Sequence, residues 1–328
     1  MKPRTLSEAP SPHSRVEAAI RRLTGIHAAT ICPMRPDFSV DEAALAAHVG
    51  MVGTADGIEG LLINGHAGEN FLLSREEKRR VIEICRSVLG PNAFLTSGVN
   101  AESSLDAAVH AADAEAAGAD AILLFPPNAW GLFQDEDSAF LHHQHVMAGC
   151  GLPLMLYQAP VRAGTMPYST DILARLVALP RVAGIKEGSW EVATYDENRR
   201  VAKALRPELA VLGSGDEHLL TSYLIGSEGS QVSLAAVTPA PVVALWRAAQ
   251  AGDWAAARHW HDVIYPLAGA IYRQAPGGRA TPRLKACLKI LGHLECDTVR
   301  PPFAPLPVEE YRRLERALIQ VQNAGSPS

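Results

Sequence analysis

The sequence holds little cysteine, no excess of positive charge and no long apolar run, and each shortage closes off a class of protein. Its five cysteines, Cys32, Cys85, Cys150, Cys287 and Cys296, are odd in number and widely spaced, with no CxxC pair and no Cys/His cluster at zinc spacing. That excludes a disulfide scaffold and a zinc ribbon, and fits a reducing cytoplasm. Lysine plus arginine total 30 against 35 aspartate plus glutamate, so the net charge of -5 leaves no footprint for nucleic acid. No run of 18 apolar residues occurs, so no membrane span is expected. The amino-terminal stretch through Pro12 and Ser14 is polar and lacks the apolar core of a secretion signal. Small molecules are the expected partners.

What is present is a globular composition, 48% hydrophobic and 20% charged over 328 residues. A (β/α)8 TIM barrel takes about 250 residues plus additions, so one barrel fits this length. From Gly25 onward a short apolar run, a Gly- or Pro-bearing loop and a helical stretch alternate. The runs are Ile26 to Ile31, Leu61 to Asn64, Phe94 to Ser97, Ala121 to Phe125, Leu154 to Tyr157, Val182 to Lys186, Ala210 to Leu212 and Ser230 to Leu234. Helices are expected to begin near Val40, Ser74, Ser103, Asp135, Ser169, Ala193, Asp216 and Pro239, the second with a capping box in Ser74-Arg75-Glu76-Glu77. Eight such pairs predict an α/β fold closed as a barrel. Three organisational parts are expected: an amino-terminal arm over 1–22 laid outside the body, the barrel with the active site over 23–251, and a carboxyl-terminal helical layer over 252–328.

One residue stands out against this pattern. Lys186 closes an otherwise apolar run, Arg181-Val182-Ala183-Gly184-Ile185-Lys186, and shares a strand face with Gly184 and Gly188, which have no side chains to fill the space beside the amine. Confinement disfavours the ammonium, and a neutral amine can attack a carbonyl to form a Schiff base. A strand-end lysine that snorkels to water is the structural alternative. Two further strand ends carry chemistry. Gly65-His66-Ala67-Gly68-Glu69 brackets two residues between glycines, where backbone N–H groups can converge on an anion; an ordinary tight turn is the alternative. Tyr157-Gln158-Ala159-Pro160-Val161-Arg162 offers a phenol for acid–base work and a guanidinium fork for a carboxylate, against a core tyrosine and a surface ion pair.

Taken together these stretches resemble the dihydrodipicolinate synthase / N-acetylneuraminate lyase family, the pyruvate-dependent class I aldolases. The resemblance rests on Gly65 to Glu69, Tyr157 to Pro160 and Gly184 to Glu187, in order, and runs from about Gly25 to the last helices. It implies that Lys186 forms the imine with pyruvate or another 2-oxo acid, that Tyr157 moves protons, and that the amides of His66 and Ala67 hold the carboxylate. It implies no metal and no organic cofactor, a homo-oligomer (tetramer or dimer), and an aldehyde or sugar-acid second substrate.

The departures from that family are specific. Its synthases usually carry two threonines where His66 and Ala67 stand, so the hydroxyl relay is missing, and His66 is a candidate substitute. A second synthase tyrosine falls at Pro127 or Asn128. Arg162 matches a synthase position for a distal carboxylate, and Gln231 places an amide where aliphatic residues are common. Asp216 is expected to cap a helix or line the mouth, and Trp246, Trp254, Trp260, Tyr265 and Tyr272 to pack the appended layer. His142-His143-Gln144-His145 lacks the further ligands a metal needs. The leading expectation is a Schiff-base lyase, aldolase or dehydratase, with catalytic Lys186, Tyr157 and His66 and substrate contacts from Gly65, His66, Ala67, Arg162 and Gln231. Two alternatives stand beside it: a 4-hydroxy-tetrahydrodipicolinate synthase, and a non-catalytic 2-oxo acid sensor.

Overall fold

Eight parallel strands pair in sequence order and close on themselves, β1 (Gly25–Ala29), β2 (Ile58–Ile63), β3 (Phe94–Val99), β4 (Ala121–Leu124), β5 (Leu154–Gln158), β6 (Val182–Glu187), β7 (Ala210–Gly213) and β8 (Gly229–Val232). This is the expected TIM barrel, seen in a computed structural model whose described residues are 11–325. Residues 1–10 of the expected arm lie outside them.

The strands close because their side chains serve two cores. Ile26, Leu61, Leu95, Ile122, Leu156, Ile185 and Val211 face the surrounding helices, while Ala29, Leu62, Phe94, Leu123, Met155 and Leu212 fill the interior. Both faces being apolar is what a parallel sheet covered on each side requires. The helices between strands are α2 (Glu42–Gly53), α3 (Arg75–Leu89), α4 (Ser104–Ala117), α5 (Glu136–Gly149), α6 (Thr170–Val177), α7 (Val192–Leu205) and α8 (Leu219–Ile225). The capping box at Ser74 is present, with the Ser74 hydroxyl accepting from the Glu77 N–H at 3.2 Å and Glu77 Oε2 accepting from the Ser74 N–H at 2.8 Å.

Three differences from the sequence reading matter for the site. The arm does not lie on the outside: α1 (Pro12–Arg22) sends Val16, Ala19 and fully buried Leu23 into the interior core and seals the amino-terminal end of the barrel. Burial of a leucine stabilises by about 1.5–3 kcal/mol, enough to fix the helix there. The eighth strand stops at Val232, because Ser233 turns into a short helix α9 (Leu234–Val237) ahead of α10 (Pro239–Gln250). The helix expected from Asp216 begins at Leu219, which leaves Asp216 in the loop beyond β7.

The appended helices are α11 (Trp254–Tyr272), α12 (Ala280–Ile290) and α13 (Val308–Gly325). They are tied to one another through buried Arg283, which donates to Glu310 at 2.6 Å and to the carbonyl of Ile271 at 2.9 Å. An arginine with no exposed surface is tolerated because its Nε meets a carboxylate and its Nη1 two carbonyls, although Nη2 has no partner among the described residues.

Candidate active site

The amine and the phenol come from neighbouring strands at the same level. Tyr157 on β5 and Lys186 on β6 are register partners, so their backbones are roughly 4.8 Å apart and their side chains rise side by side. Both line a cavity of about 490 Å³ at the carboxyl ends of the strands, shared with His66, Ala67, Arg162 and Gln231. Gly65 stands behind the turn, its carbonyl accepting from the N–H groups of Gly68 at 3.0 Å and Asn70 at 3.3 Å.

The glycines flanking Lys186 do not create this cavity. A Cβ at Gly184 would meet Leu23 Cδ1 and the Ala210 carbonyl at 3.1 Å, and one at Gly188 would lie 2.7 Å from the Gln158 carbonyl and 3.2 Å from Tyr157 Cε2. Glycine is needed there for close approach of backbone and phenol ring. The open volume lies above, between the strand ends and α12.

Burial pushes the Lys186 amine down from 10.5 to about 8, and the charge of Asp216 opposes that only in part. Burial also raises the Tyr157 phenol above its ordinary range, with a smaller contribution from the Glu187 charge. At neutral pH the phenol therefore holds its proton and can give it before it takes one. Glu187 itself points the other way, into the packing against α7, where it accepts from Asn198 at 2.9 Å and from the Ser189 hydroxyl at 3.0 Å.

The turn after β2 is built to present donors. Asn64 and Glu69 adopt positive φ of 51° and 57°, which curls the chain between them. The N–H groups of His66 and Ala67 meet no acceptor among the described residues. Two outside contacts hold the turn: Thr281 of α12 donates to the His66 carbonyl at 3.2 Å, and Glu69 forms an ion pair with Lys285, both wholly buried. Glu69 also accepts from the Arg300 N–H at 3.0 Å, and Lys285 donates to the Thr298 carbonyl at 2.7 Å, so no charge in the pair is left bare. The His66 ring stacks on Phe125 at 4.2 Å and meets Tyr157 edge-on at 5.4 Å. Although the ring has surface open to the cavity, the crowding protein, followed by the Lys186 charge, holds its pKa well below the ordinary histidine range. A neutral imidazole results.

Arg162 is exposed at the cavity mouth and has no ion pair or hydrogen bond among the described residues. Gln231 is fully buried; its Nε2 faces only Met155 Sδ at 3.9 Å and its Oε1 has no partner.

Ser233 and Tyr272, which sequence reasoning placed elsewhere, join the site, and Asp216 takes the second of its two expected places, at the mouth. Asp216 does not cap α8; its Oδ1 accepts from the Leu234 N–H at the start of α9 at 2.7 Å and from the Tyr272 hydroxyl at 3.2 Å. Burial raises its carboxyl to about 7, against the lowering effects of the Leu234 hydrogen bond and the Lys186 charge. Tyr272 leaves the packing of the appended layer and lines the cavity, with its hydroxyl 2.9 Å from that of Ser233. No local signal marks Ser233 or Tyr272, since they meet Asp216 only through the fold. Pro127 and Asn128 lead instead into a short 3-10 turn, where Asn128 N–H donates to Glu102 at 2.9 Å. His142 packs on Trp130 and bonds Ser104 at 2.9 Å, and among the described residues no group of three or more His, Cys, Asp or Glu is arranged to hold a metal ion.

A sequence model of the dihydrodipicolinate synthetase family matches residues 22–321. A 4-hydroxy-tetrahydrodipicolinate synthase of Phenylobacterium zucineum is 32% identical over 92% of this chain and 97% of its own. Another of that name from Nitrobacter hamburgensis is 30% identical over 88% of this chain and 93% of its own. The crystal structure of a dihydrodipicolinate synthase from Agrobacterium tumefaciens superposes with a TM-score of 0.81 at 29% identity, covering 92% of this chain and 99% of that one.

Proposed function

This chain belongs to the dihydrodipicolinate synthetase family of class I lyases, and from that premise we propose that its reaction runs through an imine between Lys186 and pyruvate or another 2-oxo acid. The observation that carries the reading is the register pairing of a half-buried amine, lowered to about 8, with a protonated phenol in one cavity. The free N–H groups of His66 and Ala67 take the carboxylate of the 2-oxo acid beside that amine. Lys186 attacks C2, Tyr157 gives its proton to the departing carbinolamine oxygen, and the protonated imine then draws electrons from C3 so that a C3 proton can pass back to Tyr157. The resulting enamine supports carbon–carbon bond making or breaking, or loss of a hydroxyl. His66, neutral and stacked between Phe125 and Tyr157, is suited to donate or accept a hydrogen bond near the reacting oxygen. Arg162 receives an acidic group at the far end of the second substrate, an aldehyde or sugar acid, and Gln231 offers its unpartnered carbonyl to a substrate donor.

Incubation with pyruvate and borohydride tests this directly. The intact protein should gain one reduced adduct, mapped to Lys186, and Lys186→Ala should gain none. An unmodified wild-type protein refutes the reading.

A second reading is supported by the names of the relatives: a 4-hydroxy-tetrahydrodipicolinate synthase condensing pyruvate with aspartate semialdehyde. It ranks lower because His66 and Ala67 leave no relay hydroxyl in the turn; brisk turnover in a coupled assay with those two substrates would reverse the order. A non-catalytic 2-oxo acid sensor that never forms the imine predicts no adduct, and one that binds covalently predicts an adduct and no product. A cytoplasmic location, suited to the five free cysteines, belongs to the same proposal. So does a homo-oligomer, supported by Leu132 and Phe133, exposed at 86% and 61%, and tested by sedimentation.

A further inference from the structure

Going round the barrel, the groups that face the cavity follow the strand order. Tyr157 is the last residue but one of β5, Lys186 the last but one of β6, and Asp216 lies in the loop after β7. The amine therefore has an acid–base group on each side. The family mechanism above employs one of them. Asp216 is engaged only through Oδ1, by the Leu234 N–H and the Tyr272 hydroxyl, while the residue itself lines the cavity. A carboxyl held by one oxygen and open to a ligand at the other is arranged to move a proton. No basic side chain pairs with it among the described residues; the only positive charge acting on it is that of Lys186.

We propose, resting on the Lys186 imine, that Asp216 is the acid that expels a hydroxyl from C4 of a 4-hydroxy-2-oxo acid, so that this enzyme is a dehydratase. Once Tyr157 has taken the C3 proton, the enamine nitrogen is neutral. Its electron pair moves in, the C3=C4 bond forms and the C4–O bond breaks; the leaving oxygen takes the Asp216 proton and departs as water. The nitrogen is then an iminium again. Water adds to C2, and the proton it sheds returns to Asp216 as the unsaturated 2-oxo acid and free amine separate. Atoms and protons balance over the cycle, with one water lost from the substrate.

The electrostatics run in step with this sequence. Lys186 lowers the pKa of Asp216 only while its nitrogen is charged. Enamine formation removes that charge at the moment the carboxyl must still hold its proton, and the returning iminium favours the carboxylate at the moment the proton has gone. An ionised carboxylate would instead draw the proton from the C4 hydroxyl and favour cleavage to pyruvate and an aldehyde. The titratable groups facing Asp216 are Lys186 from β6, Glu217 beside it, Tyr223 from α8 and Tyr272 from α11. Glu217 pairs with Arg273 at 3.4 Å, and its negative charge adds to burial in raising the Asp216 carboxyl, so both favour the protonated acid.

The test uses the full chain with two probes, 4-hydroxy-2-oxoglutarate and 4,5-dihydroxy-2-oxopentanoate, and product analysis by NMR. The expected result is dehydration of at least one probe. Asp216→Asn should lose at least a hundredfold of that rate while still forming the borohydride-trapped pyruvate adduct at Lys186, and should lose the alkaline fall in kcat that deprotonation of the carboxyl gives the wild type. Dehydration by Asp216→Asn within threefold of wild type overturns the proposal. So does cleavage of the probes without dehydration, and so does inertness toward both by a wild type that forms the pyruvate adduct. Failure of the wild type to form any adduct refutes the imine itself. Should Asp216→Asn fail to form the adduct, Tyr272→Phe decides: a tenfold or greater fall in dehydration with unchanged adduct formation supports the assignment, and unchanged turnover overturns it.

Discussion

The pH dependence of imine formation follows from one number. With Lys186 at about 8 rather than 10.5, the neutral fraction at pH 7 rises from about 0.03% to about 9%, roughly 300-fold. The sign is that of a lowered amine: the attacking form accumulates as pH rises and is complete shortly above the folded value. Between pH 6 and 8 the initial rate of adduct formation should therefore climb about 50-fold, and above pH 8 it should no more than double. Tyr157 holds its proton throughout this range, since burial raises the phenol, so it does not bend the profile. The assay is a short incubation with fixed pyruvate at stepped pH, a borohydride quench and the intact mass. An ordinary lysine gives a different curve, close to tenfold per pH unit through pH 9 and beyond. Such a curve would refute the claim that the cavity depresses the amine.

Tyr157→Phe should keep a slow adduct yet lose about 10²–10⁴ in turnover, the usual worth of a positioned acid–base group; near-normal turnover would remove the phenol from the mechanism. Arg162→Ala should raise KM roughly tenfold for a substrate with a second carboxylate, the low end for a charge-assisted bond in solvent, and leave pyruvate trapping untouched. Gly188→Ala places a Cβ 2.7 Å from the Gln158 carbonyl and 3.2 Å from Tyr157 Cε2, so it should cost about 1–3 kcal/mol in denaturant unfolding and lower kcat by displacing the phenol. Lys285→Met should destabilise by about 3–5 kcal/mol by leaving Glu69 charged and unpaired in the interior, and Glu69→Gln added to it should recover part of that loss.

What could be read from the chain was what its local chemistry betrays. Lys186 was legible because a charge closing an apolar strand has few structural explanations, and Ser74 because a capping box is written in four consecutive residues. The eight strands were legible as apolar runs at steady intervals, though their carboxyl ends moved by one or two residues, short of the expected run at β1, β2, β4 and β8 and beyond it at β3, β5, β6 and β7. The destination of α1 was not legible: its apolar stripe says that something is covered, and only the closed barrel says that Leu23 plugs the amino-terminal end. Ser230 to Leu234 read as one strand because small and apolar residues there carry no period, and the turn at Ser233 into α9 is imposed by packing. That turn aims the Leu234 N–H at Asp216, so a misread strand end hid Ser233 and the contact that holds Asp216.

The appended layer is a working part of the site for a reason that follows from the barrel itself. Strand ends fix Lys186 and Tyr157 well, because they pair with each other and Lys186 pairs in turn with Leu212 of β7. The anion-holding turn has no such support: it lies beyond β2, with two residues at positive φ and two N–H groups left open. Left alone, such a turn relaxes to satisfy its own donors. Thr281 on its carbonyl side and the buried Lys285 under Glu69 prevent that from outside the barrel, and Tyr272 does the same for Asp216. A neutral pairing of these helices with the barrel would have sufficed for stability. The use of a buried ion pair under the turn, costly to desolvate and intolerant of displacement, means that movement of α12 is coupled to the geometry of the carboxylate site, and substitutions in that helix should alter KM for the 2-oxo acid before they alter the reactivity of Lys186.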